Sequence, residues 1–278
     1  MTVDLYLPAP TVHATGNYSR MPMEVSGPGD HVGSPDFPTI EIPTVEAPDG
    51  SRLPLPVPFV CGLEVFGPAA AVTAVCLGDS ITAGGWPEGA QELLAPRLEV
   101  VMLNAGIAGN RLRSDPGAPI ASFGPSGVSR FEHDVLSLAG VSDVVIALGT
   151  NDLGLPGADA PLADLPSAQQ MIDAYQRLSD RAAEAGLEVT IATITPFLGS
   201  EGHDDSREGI RSAVNDWIRT AAPHCVDFDA ALRDAQNPQQ LDEAYDSGDH
   251  LHPNGAGTDR LAHTMAAHLA RRHGSAIG

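Results

Sequence analysis

The chain has 278 residues and a formal net charge of −21, because 36 Asp and Glu residues outnumber 15 Lys and Arg. A field of this sign repels phosphate backbones and anionic lipids, which argues against nucleic acid and membranes as partners. The sequence has no apolar run of the ~18 residues that a transmembrane helix needs and no signal peptide at its start. We therefore expect a cytoplasmic protein, or a secreted one if a leader has been removed.

The segment over residues 1–70 is rich in Pro and Gly and has little helical periodicity. Strand-like patterns occur in three places: 3–7, 39–45 and 59–66. Pro43 favours an edge strand in the second of these, because proline cannot donate a hydrogen bond to a neighbouring strand. We predict a small β-rich lobe here, followed by a separate domain over 71–278. This lobe is either shortened or completed by another subunit, and the second case would make the protein a homo-oligomer.

From residue 71 onward, short apolar runs alternate with helical stretches. The predicted strands are 72–77, 99–103, 143–148, 188–194 and 225–228. The predicted helices lie near 88–95, 128–138, 167–186, 206–220 and 256–272. Runs that are apolar almost throughout are typical of parallel strands covered on both faces. The alternation predicts an α/β fold, a three-layer α/β/α sandwich with a mainly parallel five-stranded sheet.

Three of the predicted strands run into polar or glycine-rich turns, and a fourth polar segment lies near the C-terminus. These segments are GDS (78–80), NAGIAGN (104–110), GTND (149–152) and DSGDHLHP (246–253). Because the carboxyl ends of parallel strands share one edge of a sheet, the three turns should lie close together there. Ligands of such sheets bind beyond that edge, so we look for a site in these segments.

These segments contain the groups that acyl transfer needs: a nucleophile, a base, a group that orients the base, and donors for an oxyanion. Ser80 directly follows a strand and precedes a helix, which places its own N–H at a helix N-terminus. Gly109 can bring a second N–H close because it has no Cβ, and Asn151 can supply a side-chain N–H. His252 is the candidate base, with Asp249 three residues before it.

The four segments, in this order, resemble the GDSL or SGNH hydrolase family over about residues 71–270. The resemblance implies a flavodoxin-like sheet and a serine esterase that works through an acyl-enzyme on a small-molecule ester, with no metal ion and no other cofactor. It implies a catalytic set of Ser80, Asp249 and His252, and an oxyanion hole of Ser80, Gly109 and Asn151. Residues 104–112 and Arg130–Phe131 are similar to a bacterial subgroup whose members often carry a β-sandwich before the hydrolase domain.

Two histidines compete for the role of base. His250 and His252 flank Leu251 and would point the same way in an extended segment, so direction alone does not separate them. The spacing from Asp249 and the resemblance both favour His252. We expect His250 to be exposed or hydrogen-bonded locally.

Other polar residues near these segments receive structural roles. Asp79 is expected to brace the turn at the nucleophile, and Asp152 is expected to be structural as well. Arg111 could contact a substrate oxygen, but pairing with Asp115 is favoured.

The substrate is predicted only as a class. Because no hydrophobic lid is evident, the sequence favours esters of short acyl chains, either acetylated carbohydrates or small aliphatic and aryl esters. Two other functions stay open. One is an acyltransferase that uses the same residues, and the other is a non-catalytic carbohydrate-binding or assembly protein that keeps the fold.

Overall fold

A computed structural model describes residues 72–274 without a break, together with short stretches of the preceding segment: 16–17, 25–27, 29–31, 33–34, 36–41, 44–46, 52–54 and 57–58. The chain divides into two compact units, Met1–Glu64 and Val65–Gly278. The domain boundary predicted at residue 70 falls outside the described residues and stays a prediction.

The described residues of the first unit form three antiparallel pairs of short strands. The strands are β1 (Gly16–Asn17), β2 (Val25–Ser26), β3 (Thr39–Ile40), β4 (Thr44–Glu46), β5 (Arg52–Pro54) and β6 (Val57–Pro58). The pairs are β1 with β6, β2 with β3, and β4 with β5. The strand predicted at 39–45 is therefore two strands, β3 and the start of β4. The strands predicted at 3–7 and 59–66 lie outside the described residues.

The second unit is built on one parallel sheet. Its strands are β7 (Val72–Gly78), β8 (Val100–Gly106), β9 (Asp143–Ala147), β10 (Glu188–Ala192) and β11 (Cys225–Val226). They lie in the order β11-β10-β9-β7-β8, and every neighbouring pair is parallel. The predicted five-stranded parallel sheet is confirmed, and β9, β7 and β8 lie side by side.

Helices cover both faces of this sheet. They are α1 (Ser80–Ala83), α2 (Trp86–Leu94), α3 (Gly127–Phe131), α4 (Thr150–Gly154), α5 (Ala168–Glu184), α6 (Asp205–Ala221), α7 (Phe228–Leu232) and α8 (Gly255–His273). Single helical turns also occur at Ala118–Phe123, Glu132–Leu136 and Leu162–Asp164. None of the helices in the described residues is both long and apolar enough to span a membrane.

Two apolar clusters hold the layers together, one on each face of the sheet. The first contains Cys76 and the edge-to-face pair of Trp86 and Phe228, whose ring centroids are 5.2 Å apart. The second contains Val75 and Leu77, packed among residues of α3, α5 and α6. Neighbouring residues of β7 thus enter opposite clusters, as the two-residue period of a strand requires. This explains why the predicted strand is apolar almost throughout.

The predicted strands and helices of the second unit differ from the observed ones by one to three residues at their ends, and two of these differences change the type of element. The helix predicted over 128–138 consists of α3 followed by a wider turn at Glu132–Leu136. The strand predicted over 225–228 stops at Val226, because the side chain of Asp227 accepts a hydrogen bond from the N–H of Ala230 and starts α7. A helix cap therefore replaces the end of the predicted strand.

Candidate active site

The nucleophile candidate lies where three strands end together. Gly78, the last residue of β7, is paired with Gly106 of β8 and with Ala147 of β9. The chain then turns directly into α1, whose first residue is Ser80. A Cβ on Gly106 would lie 2.4 Å from the backbone nitrogen of Ala83, so only glycine lets α1 approach β8 this closely.

Asp79 shapes the turn that carries Ser80. It is almost fully buried, and its carboxylate accepts a hydrogen bond of 3.0 Å from the N–H of Ile81, which caps α1. The structural role predicted for Asp79 is the one observed. Because α1 has only four residues, Ser80 gains a free backbone N–H from the helix start, while the helix dipole adds little.

Ser80, His252 and Asp249 form one continuous hydrogen-bonded series. Ser80 Oγ lies 2.8 Å from His252 Nε2, and His252 Nδ1 lies 2.6 Å from Asp249 Oδ2. The other carboxylate oxygen, Asp249 Oδ1, accepts the N–H groups of Leu251 and His252 at 3.0 and 2.8 Å. A carboxylate at Nδ1 favours the tautomer with the proton there, which leaves Nε2 as the acceptor that faces the serine.

The charged form of Asp249 is favoured at this position. Partial burial acts to raise the pKa of its carboxyl, but the hydrogen bonds from His252, Leu251 and Ser247 outweigh it and hold that pKa well below its usual range. Asp249 is therefore ionised at neutral pH.

His250 makes a second aspartate–histidine pair on the same loop. Its Nδ1 lies 2.6 Å from Asp246 Oδ2, its side chain is 54% exposed, and its φ is +61°. It is the one residue other than glycine with a positive φ in the described part of the chain. The structure thus brings His252 rather than His250 to Ser80, and the local hydrogen bond expected for His250 is confirmed.

Gly109 and Asn151 lie together at the neighbouring strand ends. Gly109 has a φ of +74°, and a Cβ there would lie 2.4 Å from the ring of Phe123, so only glycine fits the loop. Asn151 is buried, and its Nδ2 donates a hydrogen bond of 3.0 Å to the carbonyl of Asn110. A primary amide carries two N–H groups, so a second one remains for a ligand.

Asp152 braces the loop that contains Gly109. Its carboxylate accepts the N–H groups of Leu112 and Arg113 at 2.6 and 3.0 Å, and its burial raises its pKa to about 6. The structural role expected for Asp152 is therefore observed. One turn after β9 supplies both Asn151 and the group that holds the adjacent loop in place.

Asn110 and Arg130 are positioning residues to which the sequence analysis gave no role. The guanidinium of Arg130 donates to the carbonyls of Gly78 and Ala105 at 2.9 and 2.8 Å and to Asn110 Oδ1 at 3.1 Å. These hydrogen bonds hold the ends of β7 and β8 against Asn110, in the loop that contains Gly109. Two sequence signals pointed to them. One was the subgroup resemblance of residues 104–112 and Arg130–Phe131, and the other was the spacing of four between Arg130 and Asp134, which the structure shows as an ion pair of 2.8 Å.

The pairing predicted for Arg111 with the carboxylate of Asp115 is wrong. Arg111 forms its ion pair with Asp164 at 2.9 Å and reaches only the backbone carbonyl of Asp115, at 2.7 Å. The carboxylate of Asp115 instead accepts a hydrogen bond of 2.7 Å from the N–H of Ser126, at the start of α3. The free N–H groups of a helix start compete for this carboxylate, and they lie closer to it.

Four apolar residues flank the predicted catalytic segments in the sequence and are candidates to line an acyl pocket: Leu153, Leu155, Phe197 and Leu251. Leu153 and Phe197 are fully buried in the second apolar cluster, whereas Leu251 is only partly buried beside it. Leu155 is also partly buried. Leu153 and Phe197 therefore belong to the core and cannot line a deep acyl channel without repacking.

The buried carboxyl of Asp79 should make stability depend on pH. Burial raises its pKa from 3.8 to about 7. Between these values the unfolded chain has lost the proton that the folded protein keeps, so this group's contribution to stability falls as pH rises. Asp79→Asn cannot titrate, and thermal unfolding should favour the variant over wild type by ~5–15 °C more at pH 8 than at pH 4. An equal difference in Tm at both pH values would contradict this.

The described fold is a three-layer α/β/α sandwich with a serine, a histidine and an aspartate in hydrogen-bonded series at the carboxyl edge of its sheet. The chain belongs to the GDSL-like lipase/acylhydrolase family, whose model matches residues 76–260. It is accordingly a carboxylic ester hydrolase. No curated protein matches the chain.

Solved structures with the same fold include proteins with esterase names. A GDSL-like lipase from Bacteroides thetaiotaomicron is 21% identical, with a TM-score of 0.52 over 74% of this chain and 89% of its own. The acetyl xylan esterase AlAXEase is 22% identical, with a TM-score of 0.51 over 70% and 98%. A carbohydrate acetylesterase family member from Sinorhizobium meliloti is 15% identical, with a TM-score of 0.55 over 73% and 99%. At these identities the likeness shows the fold.

Proposed function

We propose that the chain is a serine carboxylesterase with Ser80 as nucleophile, His252 as base and Asp249 as the group that orients the base. The observation that carries this proposal is the contact of 2.8 Å between Ser80 Oγ and His252 Nε2, with Asp249 bound to the far nitrogen of the same ring. A nucleophile, its base and an orienting group within hydrogen-bond reach are the geometric signature of covalent acyl transfer.

In the proposed first half-reaction, Ser80 Oγ attacks the ester carbonyl carbon while His252 Nε2 takes the hydroxyl proton. Asp249 stabilises the imidazolium that forms. His252 then returns the proton to the departing alcohol oxygen, which leaves an acyl-enzyme on Ser80. In the second half-reaction, His252 takes a proton from water, the hydroxide attacks the acyl carbon, and the proton returns to Ser80.

The proposed oxyanion hole consists of the backbone N–H groups of Ser80 and Gly109 and the second side-chain N–H of Asn151. The bond from Asn151 to the carbonyl of Asn110 fixes the amide plane beside the Gly109 loop. Donors that are already fixed cost no reorganisation when charge develops on the carbonyl oxygen. The braces from Asp152 and Arg130 supply this rigidity.

Asn151→Ala tests the oxyanion donor. We expect kcat for p-nitrophenyl acetate to fall by roughly 10²–10³ with little change in KM, because the lost hydrogen bond strengthens only as charge develops in the transition state. Steady-state kinetics would measure both constants, and thermal unfolding would show that the variant is folded. A fall in kcat of less than about tenfold in a folded variant would remove Asn151 from the oxyanion hole.

For the substrate, we propose esters with short acyl chains, such as acetylated carbohydrates or small aliphatic and aryl esters. The complete burial of Leu153 and Phe197 in the core supports this, because it removes two candidates for the wall of a long acyl channel. Two solved structures with the same fold are named as an acetyl xylan esterase and a carbohydrate acetylesterase family member, and these names agree with the short-chain proposal.

Hydrolysis of p-nitrophenyl esters from acetate to palmitate tests this proposal. We expect kcat/KM to reach its highest value between acetate and butyrate and not to rise further by octanoate, because each extra methylene lacks an apolar wall to bind. A maximum at laurate or palmitate would overturn the short-chain proposal. Adding a sugar acceptor to the acetate reaction would separate hydrolysis from acyl transfer.

A further inference from the structure

The aromatic ring of Phe123 lies against the proposed oxyanion loop. A Cβ on Gly109 would lie 2.4 Å from Cγ of Phe123 and 2.5 Å from each of its two Cδ atoms. Because these three atoms are almost equally distant from that point, the face of the ring rather than its edge covers the glycine. The side chain of Phe123 is only partly buried. Aromatic surface is therefore exposed directly beside the residue whose N–H is proposed to bind the oxyanion.

The backbone of Phe123 is held by the same residue that holds Asn151. Asn110 has no exposed surface, and its Nδ2 donates hydrogen bonds to the carbonyls of Phe123 and Pro125, both at 2.8 Å. The carbonyl of Asn110 in turn accepts the hydrogen bond from Asn151. The ring of Phe123 is therefore held in a fixed position relative to two proposed oxyanion donors, Gly109 and Asn151.

Ile107 adds to this apolar surface. Its N–H donates a hydrogen bond of 3.1 Å to the carbonyl of Gly78, which places its backbone beside the end of β7, two residues before Ser80. A Cβ on Gly124, which follows Phe123, would lie 3.1 Å from Cδ1 of Ile107. The side chain of Ile107 is also partly buried. Ile107 and Phe123 thus form an apolar surface beside the oxyanion loop, which we call the Phe123 wall.

We propose that the Phe123 wall contacts the acyl chain of the ester substrate and contributes to a preference for short chains. This inference rests on the proposed function, in which the alcohol oxygen must face His252 Nε2 to receive its proton. The acyl chain needs no polar partner, and hydrocarbon gains free energy when it leaves water for an apolar surface. The wall consists of two side chains and covers only the first few carbons of a chain, which fits esters of short acids.

A ratio of specificity constants measured within one variant tests this contact. The acyl ratio is kcat/KM for p-nitrophenyl butyrate divided by kcat/KM for p-nitrophenyl acetate. In Phe123→Ala we expect the acyl ratio to fall ~3–10-fold, because a fully buried methylene strengthens binding about fourfold and the wall covers the two extra methylenes of butyrate from one side only. If loss of the ring merely loosened the oxyanion loop, both esters would slow equally. An unchanged acyl ratio would therefore overturn the proposal.

Ile107→Ala keeps the test decisive if Phe123→Ala does not fold. It should lower the acyl ratio ~2–5-fold, because it removes a smaller part of the wall. Trp217→Ala is the matched control, since it also removes a partly buried aromatic ring, but one that belongs to α6 and stacks on Tyr175. In this control the acyl ratio should change less than about twofold. A fall as large as in Phe123→Ala would show that the ratio reports general loosening and would overturn the proposal.

A second ratio separates contact with the acyl chain from contact with the alcohol. It compares kcat/KM for 1-naphthyl acetate and p-nitrophenyl acetate, and Phe123→Ala should change it less than about twofold because the two esters share one acyl group. A fall larger than that of the acyl ratio would place the ring against the alcohol and overturn the proposal. If the wild-type protein hydrolysed no ester, the proposed function would fail and this inference with it. If it hydrolysed esters while Phe123→Ala and Ile107→Ala kept the wild-type acyl ratio, only this inference would fail.

Discussion

Ser80→Ala is expected to lower kcat/KM for p-nitrophenyl acetate by about 10⁴-fold or more, because the variant has no hydroxyl to form the acyl-enzyme. The residual rate would come from the oxyanion donors and from binding alone. The side chain is small and only partly buried, so the fold should survive, with a Tm within about 2 °C of the wild type. Initial-rate kinetics and labelling by a fluorophosphonate probe would measure the loss.

The two histidines of the same loop, His252 and His250, provide a matched comparison for Ser80→Ala. His252→Ala should reduce the rate nearly as much as Ser80→Ala, since residues that act as one unit show strongly non-additive losses. His250→Ala should leave the rate within about threefold, because its ring is bonded to Asp246 and not to Ser80. Substantial esterase activity in folded Ser80→Ala would show that another group is the nucleophile. Equal losses in the two histidine variants would point to a damaged loop.

The meeting of three segments at one edge of the sheet could be predicted because nearly continuous apolar runs indicate parallel strands, which share one polarity, whereas the order of the strands was not predicted. The segments after β7, β8 and β9 contain Ser80, Gly109 and Asn151, and the parallel neighbours β8-β7-β9 bring these segments to one edge. A parallel strand can be recognised in the sequence as a short, nearly continuous run of apolar residues. The polar or glycine-rich residues that follow the run mark the end of the strand. Asp249 and His252 were predicted from a short spacing and a resemblance, and in the structure His252 contacts Ser80 while Asp249 contacts His252.

The supporting contacts could not be predicted, because they depend on tertiary geometry. Arg130 reaches three carbonyl or amide oxygens that lie 20 to 52 residues away in the sequence. Arg111 pairs with Asp164 rather than with Asp115, and this partner depends on how the chain between residues 111 and 164 folds. No sequence period encodes such contacts, whereas burial of a guanidinium requires them once the fold has formed.

Asp249→Asn should lower kcat by about 10²–10⁴-fold, a large loss but a smaller one than that expected for Ser80→Ala or His252→Ala. The carboxylate now holds the proton of His252 on Nδ1, which leaves Nε2 free to accept the serine proton. An amide can donate its own N–H to Nδ1, which moves the ring proton to Nε2 and removes the base. Because the Asp249 side chain is 49% exposed, water can partly replace its hydrogen bond to His252. The lower limit of the expected loss in kcat reflects this replacement.

Asp246→Asn provides a control with the same chemistry on the same loop. Both aspartates bind a histidine Nδ1 at 2.6 Å and accept backbone N–H groups, but only the histidine of Asp249 contacts Ser80. If the carboxylate acts through the tautomer of the base, Asp249→Asn lowers kcat steeply while Asp246→Asn changes it less than about threefold. If both variants lost activity equally, the carboxylates would merely hold the loop together. The comparison therefore separates orientation of the base from folding of the segment that carries it.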